Sequence, residues 1–213
     1  MKLRIASLTI LCLALAVIPA SAQVLYENGP INGTTDAWTI NFGYVVSDSF
    51  VYYGYGVSGF QLGVWEFPGD TMSSVDWFIT SAENGGTVYG SGTASGGNLT
   101  DQFISSNQYG YNIDLITVSG LNVYSLNDGN TYWLNLQNAV VPSGDPVYWD
   151  ENSGAGCKSS GCPSKASESA VGTIPSEAFT INGYGPPFPE PSVLLYGFGA
   201  FGVVGLLRRK LRW

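Results

Sequence analysis

The chain has 213 residues, 45% of them hydrophobic and 11% charged, so it is long enough for one domain with a buried core and is not disordered by composition. Histidine is absent, which excludes histidine-based catalytic triads and histidine metal clusters. Residues 23–190 contain all sixteen acidic residues, two lysines and no arginine, a net charge of −14 that argues against nucleic acid as a partner because it repels phosphate.

The N-terminus predicts a secretory signal peptide over residues 1–22. A short basic head precedes the apolar run of residues 5–18, and a small-residue cleavage site with Ala20 and Ala22 follows it. The apolar run is too short to span a bilayer comfortably, which argues against a membrane-spanning helix. We therefore expect signal peptidase to cut after Ala22 and the mature chain to begin at Gln23.

Residues 23–185 predict an exported all-β domain. Val75, Trp77 and Ile79 alternate with Asp76, Phe78 and Thr80, as expected for a half-buried strand. The same alternation predicts two further strand faces, one with Tyr111, Ile113 and Leu115 and one with Tyr132, Leu134 and Leu136. Asn-Gly and Asp-Gly turn signals separate such runs. We predict one antiparallel β-sandwich of jelly-roll type.

A segment rich in small polar residues, 152–170, interrupts this pattern and predicts an exposed loop. Cys157 and Cys162 are the only cysteines outside the signal peptide. We expect them to form a disulfide in an oxidising compartment, because a metal site would need further soft or imidazole ligands. A redox-active pair is the alternative, although the Cys-x-x-Cys spacing is absent.

Two aromatic clusters are candidate sugar contacts. The first is Trp149, Asp150 and Glu151, where carboxylates adjoin an aromatic ring. Neighbouring residues of a strand point to opposite faces, so these two carboxylates cannot form the facing pair, about 5–9 Å apart, that glycosidases use. The alternative is a strand end whose carboxylates meet solvent or accept hydrogen bonds from turn amides. The second cluster consists of Tyr52, Tyr53 and Tyr55, for which cross-strand aromatic pairing is the alternative.

No catalytic residues are predicted, because a nucleophilic serine has no histidine to activate it. We therefore expect a non-enzymatic protein without a cofactor. The oxygen-rich segment 127–130 is a candidate for calcium, although it lacks the regular aspartate spacing of a dedicated calcium loop. The alternative is a type I′ hairpin turn at Asp128-Gly129, which needs no ion.

The C-terminal segment 186–213 predicts a membrane anchor. Its first residues are a stiff proline-rich stretch, and residues 193–207 carry no charge. A basic end follows, made of Arg208, Arg209, Lys210 and Arg212. Because basic clusters stay on the cytoplasmic side, we expect a transmembrane helix over 193–207 and the body outside the inner membrane. An ordinary permanent tail anchor is the alternative to a processed one.

Pro189, Glu190 and Pro191, followed by a short apolar helix and an arginine-rich end, resemble the PEP-CTERM sorting signal of Gram-negative bacteria. In that family a membrane-embedded cysteine protease, exosortase, recognises the Pro-Glu-Pro motif and processes the tail. The resemblance covers residues 187–213 and implies export to the cell surface or its matrix in a bacterium that makes extracellular polysaccharide. It says nothing about the chemistry of the β domain.

These features together predict a non-catalytic protein that begins as an inner-membrane-anchored precursor. Processing by an exosortase-like enzyme then delivers it to the cell surface or extracellular matrix, where exopolysaccharide is the expected partner. The alternative is a carbohydrate-binding or carbohydrate-active module that uses Trp and Tyr rings with Asp and Glu carboxylates. An ice-binding surface is a third possibility, but the sequence has no Thr-x-Thr ladder.

Overall fold

Thirteen β-strands and a short 3-10 helix, Gly96–Asn98, make up the regular structure of the computed structural model, which describes residues 23–184. No α-helix occurs in this range, so the all-β prediction is confirmed. In chain order the strands are β1 (Gln23–Glu27), β2 (Asp36–Thr39), β3 (Val46–Val51), β4 (Gly56–Glu66), β5 (Ser74–Ala82), β6 (Gly85–Ser95), β7 (Leu99–Ser106), β8 (Asn112–Val123), β9 (Thr131–Val140), β10 (Tyr148–Glu151), β11 (Ala166–Glu168), β12 (Gly172–Ile174) and β13 (Phe179–Tyr184).

The strands form two antiparallel sheets. The first sheet has seven strands arranged around β4, which pairs with β8 along one side, and β7 lies beyond β8. On the other side of β4, its first half pairs with β13, and β1 pairs with the far edge of β13. The second half of β4 pairs with β10, and β2 pairs with the far edge of β10. The second sheet has six strands in the order β12-β11-β3-β9-β5-β6.

Side chains from both sheets meet in one hydrophobic core, as in a sandwich. Two predicted strand faces are confirmed, because Val75, Trp77 and Ile79 of β5 and alternate residues of β9 from Tyr132 onwards are buried there. The face predicted for β8 is wrong. Its core residues are Ile116 and Val118, which lie opposite inward-facing residues of β4. Asp114 lies on the same inward face of β8 as Ile116 and Val118 and is buried. Burial of a carboxylate is not expected from hydrophobic alternation.

The predicted exposed loop of residues 152–170 is too long at its C-terminal end. Ala166–Glu168 form β11, which is buried and pairs with β3 of the second sheet. The remaining segment folds back on β1, where the backbone N–H of Glu27 donates to Ser159 Oγ at 2.8 Å. Cys157 and Cys162 lie at disulfide-bonding distance in this segment, with Cα atoms 5.8 Å apart. The predicted pairing of these cysteines is confirmed.

Several predicted features lie outside the described residues. They are the signal peptide of residues 1–22, the Pro189-Glu190-Pro191 motif, the helix of residues 193–207 and the basic end. Between Gln23 and Tyr184, no helix has the length and apolar character needed to cross a membrane.

Candidate functional site

A cleft of about 420 Å³ lies at the end of β4, on the outer face of the first sheet. Its walls are formed by Thr35, Asp36, Ala37, Trp65, Tyr109, Tyr111 and Tyr148. Strand register explains why these distant residues meet. Trp65 is directly opposite Tyr148 of β10 on one side and Ile113 of β8 on the other, and β2 lies beyond β10. Long-range strand pairing therefore builds the cleft.

Aromatic rings dominate this cleft and contact one another. Tyr109 stacks on Trp65 with ring centroids 5.7 Å apart and planes at 19°. Tyr111 is tilted against Trp65 at 5.8 Å and meets Tyr148 edge-on at 5.6 Å. Phe67, at the rim, packs on Tyr111 at 4.9 Å. Trp65 is 6% exposed but Tyr109 is 55% exposed, so a buried indole supports a solvent-facing ring.

The turn that carries the two tyrosines is held by its own hydrogen bonds. Asn107 Oδ1 accepts the backbone N–H groups of Tyr109 at 3.0 Å and Tyr111 at 3.1 Å. The backbone N–H of Asn107 donates to the Tyr111 carbonyl at 2.9 Å, which closes the hairpin. Gly110 has φ +87°, in the left-handed region that favours glycine. These hydrogen bonds define the positions of both tyrosines in the turn.

Trp65 is held from behind by a buried carboxylate. Its indole Nε1–H donates to Asp150 Oδ1 at 2.6 Å, and Asp150 is fully buried. The same carboxylate accepts the backbone N–H groups of Asn32 at 2.8 Å and Gly33 at 2.9 Å. Burial raises the pKa of Asp150, and these three hydrogen bonds act against that rise because they favour the charged form. Asp150 therefore fixes the indole and the segment that leads to β2.

Polar groups complete the cleft. Asp36 and Thr35 are exposed, and Asp36 Oδ1 accepts the N–H of Ala37 at 2.8 Å. Burial, followed by the neighbouring Tyr111 and Asp145, raises the pKa of Tyr148 to about 12. The Tyr148 hydroxyl therefore keeps its proton and can donate a hydrogen bond near neutral pH.

The prediction that Trp149, Asp150 and Glu151 contact sugar is wrong, because all three side chains are buried. Trp149 packs in the core and donates its Nε1–H to the Ala178 carbonyl at 3.0 Å. Glu151 accepts the Trp38 Nε1–H at 3.2 Å. The alternative interpretation, that a strand-end carboxylate satisfies amide groups, holds for Asp150.

The tyrosine cluster divides into a buried and an exposed part. Tyr52 is 1% exposed and meets Tyr132 edge-on at 6.2 Å, so it is not a surface contact. Tyr53 and Tyr55 are exposed. The backbone N–H of Tyr55 donates to the carbonyl of Tyr184, whose ring stacks on Tyr124 at the far end of β4 with centroids 6.0 Å apart. We call the four exposed rings, Tyr53, Tyr55, Tyr124 and Tyr184, the second aromatic surface.

The sequence interpretation missed the residues that line the cleft. A Tyr-Gly-Tyr sequence at residues 109–111, inside a turn between two strands, was the available signal. A larger concavity of about 550 Å³ lies elsewhere, but Trp133 is the one aromatic residue in its lining. It offers less ring surface for stacking than the cleft.

The segment considered for calcium, residues 127–130, forms a tight turn. Asp128 Oδ1 accepts the backbone N–H of Gly54 at 2.9 Å, and the N–H of Gly129 donates to the Tyr52 carbonyl at 2.8 Å. A cluster of three acidic residues lies elsewhere in the sandwich. It consists of Glu66, Asp101 and Asp114, which each place a carboxylate oxygen within 4.8 Å of the others.

Comparisons of this chain with family models, with characterised proteins and with solved structures find no match. Function is therefore inferred from the geometry of the cleft and the chemistry of its walls.

Proposed function

We propose that this chain is an exported, non-catalytic protein of the cell surface or extracellular matrix that binds carbohydrate polymer through the aromatic cleft. The observation that carries this proposal is the set of touching rings, Trp65, Tyr109, Tyr111 and Tyr148, at the surface of a β-sandwich. An aromatic ring offers a flat apolar face to the C–H groups of a sugar ring, and a tyrosine adds a polar edge. Asp36 and the Tyr148 hydroxyl provide partners for sugar hydroxyl groups.

Charge favours a neutral polymer as the ligand. Residues 23–184 carry fifteen acidic residues and two lysines, and Asp36 stands in the cleft itself. A uronic acid or sulfated sugar would meet like charge at this surface, which weakens both encounter and binding. Neutral hexose polymers avoid this repulsion.

The same lining supports binding over hydrolysis. Hydrolysis needs two carboxyl groups on either side of the scissile bond. Among the described residues that line the cleft, Asp36 is the one carboxylate. A catalytic function would need a second carboxyl group to enter the cleft.

We propose that the β-sandwich is of jelly-roll type.

We also propose that the two ends of the chain act in sorting. After export and signal cleavage, an exosortase-like enzyme acts at the Pro189-Glu190-Pro191 motif and releases the β domain from the inner membrane. Replacing Glu190 with Ala tests this step by cell fractionation and intact mass. We expect uncleaved Glu190→Ala protein in the membrane fraction, and normal release of the variant would contradict processing at this motif.

Binding is tested with the purified protein by affinity electrophoresis through gels that contain neutral or acidic polysaccharides. We expect retardation by a neutral polymer and a loss of affinity of at least tenfold in Tyr109→Ala, since tenfold corresponds to about 1.4 kcal/mol. Tyr55→Ala in the second aromatic surface is the matched control, because it removes an equally exposed tyrosine. Loss of binding in Tyr55→Ala alone, or unaltered binding in Tyr109→Ala, would refute the assignment of this cleft.

A further inference from the structure

Three carboxylates from three neighbouring strands meet on the inner face of the first sheet. Glu66 ends β4, Asp114 lies in β8 and Asp101 lies in β7. Asp114 is opposite Val64, and Asp101 is opposite Ile116, so all three side chains point to the core side. One oxygen from each carboxylate lies within 4.8 Å of the others.

Two of the three carboxylates are buried and have oxygens without a hydrogen-bond partner in the described residues. Glu66 is 0% exposed, and neither of its oxygens accepts a hydrogen bond from the described residues. Asp114 is 4% exposed, and its Oδ2 is likewise unpartnered. A buried carboxylate that lacks a donor costs several kcal/mol in general, so such a group indicates a missing partner.

The described part of the chain supplies no nearby positive charge. Its two basic side chains, Lys158 and Lys165, belong to the segment that covers β1 and β3, away from β7 and β8. Burial, then Asp101, Asp114 and Asp70, raises the pKa of Glu66 to about 8. The connection from β4 to β5 closes the cluster, where the N–H of Met72 donates to Asp101 Oδ2 at 2.6 Å.

We propose that Glu66, Asp101 and Asp114 bind one calcium ion on the inner face of the first sheet. Calcium takes six to eight oxygen ligands at about 2.3–2.6 Å, so two ligands on opposite sides of one ion are about 4.8 Å apart. The oxygens of the cluster lie within that limit. The three carboxylates offer up to six oxygens, and the absence of histidine and cysteine from the set disfavours zinc or copper.

Calcium fits this cluster better than magnesium. Magnesium demands near-ideal octahedral geometry at about 2.0–2.1 Å and keeps several of its waters. Glu66 and Asp114 are almost inaccessible to solvent, so a hydrated ion has little room beside them. Bidentate carboxylates around a larger ion use the unpartnered oxygens directly. The competing state is a shared proton between the carboxyl groups, which needs no metal.

The test is calcium titration of the purified full chain after treatment with EGTA, followed by calorimetry and by thermal unfolding. We expect one calcium ion per chain with a Kd of about 10⁻⁴–10⁻³ M, the range of extracellular modules. At about 10 mM calcium the midpoint of unfolding should rise by about 3–10 °C. Magnesium should bind at least tenfold more weakly.

Glu66→Gln and Asp114→Asn keep the side-chain shape and should fold, because neither buries a new charge. Each should lose at least tenfold in calcium affinity and most of the thermal shift. Asp128→Asn is the control, because it removes a carboxylate from the turn at residues 127–130 and should bind calcium as the parent chain does. Absence of calcium binding in the parent chain would overturn the proposal. Retained affinity in Glu66→Gln, or its loss in Asp128→Asn, would also overturn it.

Discussion

Asp48 is a buried carboxylate outside the proposed calcium site, and its replacement by Asn should change how stability depends on pH. Asp48 lies in β3, is 0% exposed and accepts the backbone N–H of Glu177 through Oδ2 at 2.7 Å. Its Oδ1 has no partner among the described residues, and neither do the two carboxylate oxygens of Glu177. Asn keeps one acceptor oxygen for the Glu177 amide and removes the charge.

The magnitude follows from the proton affinity of Asp48 in the folded chain. Burial raises the pKa of Asp48 from 3.8 to about 7. The folded state therefore binds the Asp48 proton more tightly than the unfolded state does, and protonation of Asp48 stabilises the fold. This stabilisation is fully present below about pH 4 and is lost as the pH rises to about 7. At 1.36 kcal/mol per pH unit, the loss is roughly 4 kcal/mol.

Urea unfolding, followed by tryptophan fluorescence at several pH values between 4 and 8, measures this effect. We expect the free energy of unfolding of Asp48→Asn to rise by about 4 kcal/mol relative to that of the parent chain from pH 4 to pH 8, because only the parent loses the stabilisation from the Asp48 proton. Glu83→Gln removes an exposed carboxylate from the turn between β5 and β6, and controls for the general effect of net charge. A difference between Asp48→Asn and the parent that stays constant over this range would refute the reasoning.

Three further outcomes are expected. Asp150→Ala leaves the indole N–H of Trp65 and the backbone N–H groups of Asn32 and Gly33 without their acceptor, so the free energy of unfolding in urea should fall by about 3 kcal/mol. A fall below about 1 kcal/mol would contradict this role of Asp150. Replacing both Cys157 and Cys162 by Ser should lower the free energy of unfolding by about 2 kcal/mol in the same assay, because the disulfide closes a short loop. An unchanged free energy of unfolding would show that the loop needs no cross-link. Removing calcium with EGTA should weaken polysaccharide binding, because Glu66 of the proposed ion site directly follows Trp65 of the cleft in β4. Affinity electrophoresis with and without EGTA measures this effect. Equal affinities would show that the cleft and the ion site are independent.

The fold class could be predicted from the sequence because the core obeys simple alternation where it is apolar. Val75, Trp77 and Ile79 form one buried face of β5, as their spacing indicates. The prediction failed in β8, where the buried face includes Asp114. Hydrophobic alternation assigns acidic residues to the solvent side, so it cannot identify a strand that turns a carboxylate inward.

The site could not be predicted because a difference of one residue along a strand reverses the face on which a side chain lies. Trp149, the predicted sugar contact, lies in the core, whereas its neighbour Tyr148 lines the cleft. Tyr52 and Tyr53 show the same reversal between buried and exposed. Only the register of β4 with β8 and β10 reveals which residues meet, and sequence spacing does not encode that register.

Buried carboxylates connect the proposed calcium site with the proposed export. A chain with fifteen acidic residues and two lysines between residues 23 and 184 can compensate few of its charges internally. Glu66 and Asp114 are buried without a basic partner in the described residues, so their charged forms need a cation from the surroundings. Calcium sites of extracellular modules have Kd values of about 10⁻⁴–10⁻³ M, far weaker than the roughly 10⁻⁷–10⁻⁵ M of cytosolic calcium sensors. The ion would therefore stabilise the end of β4, and with it the aromatic cleft, only after the chain has left the cytoplasm.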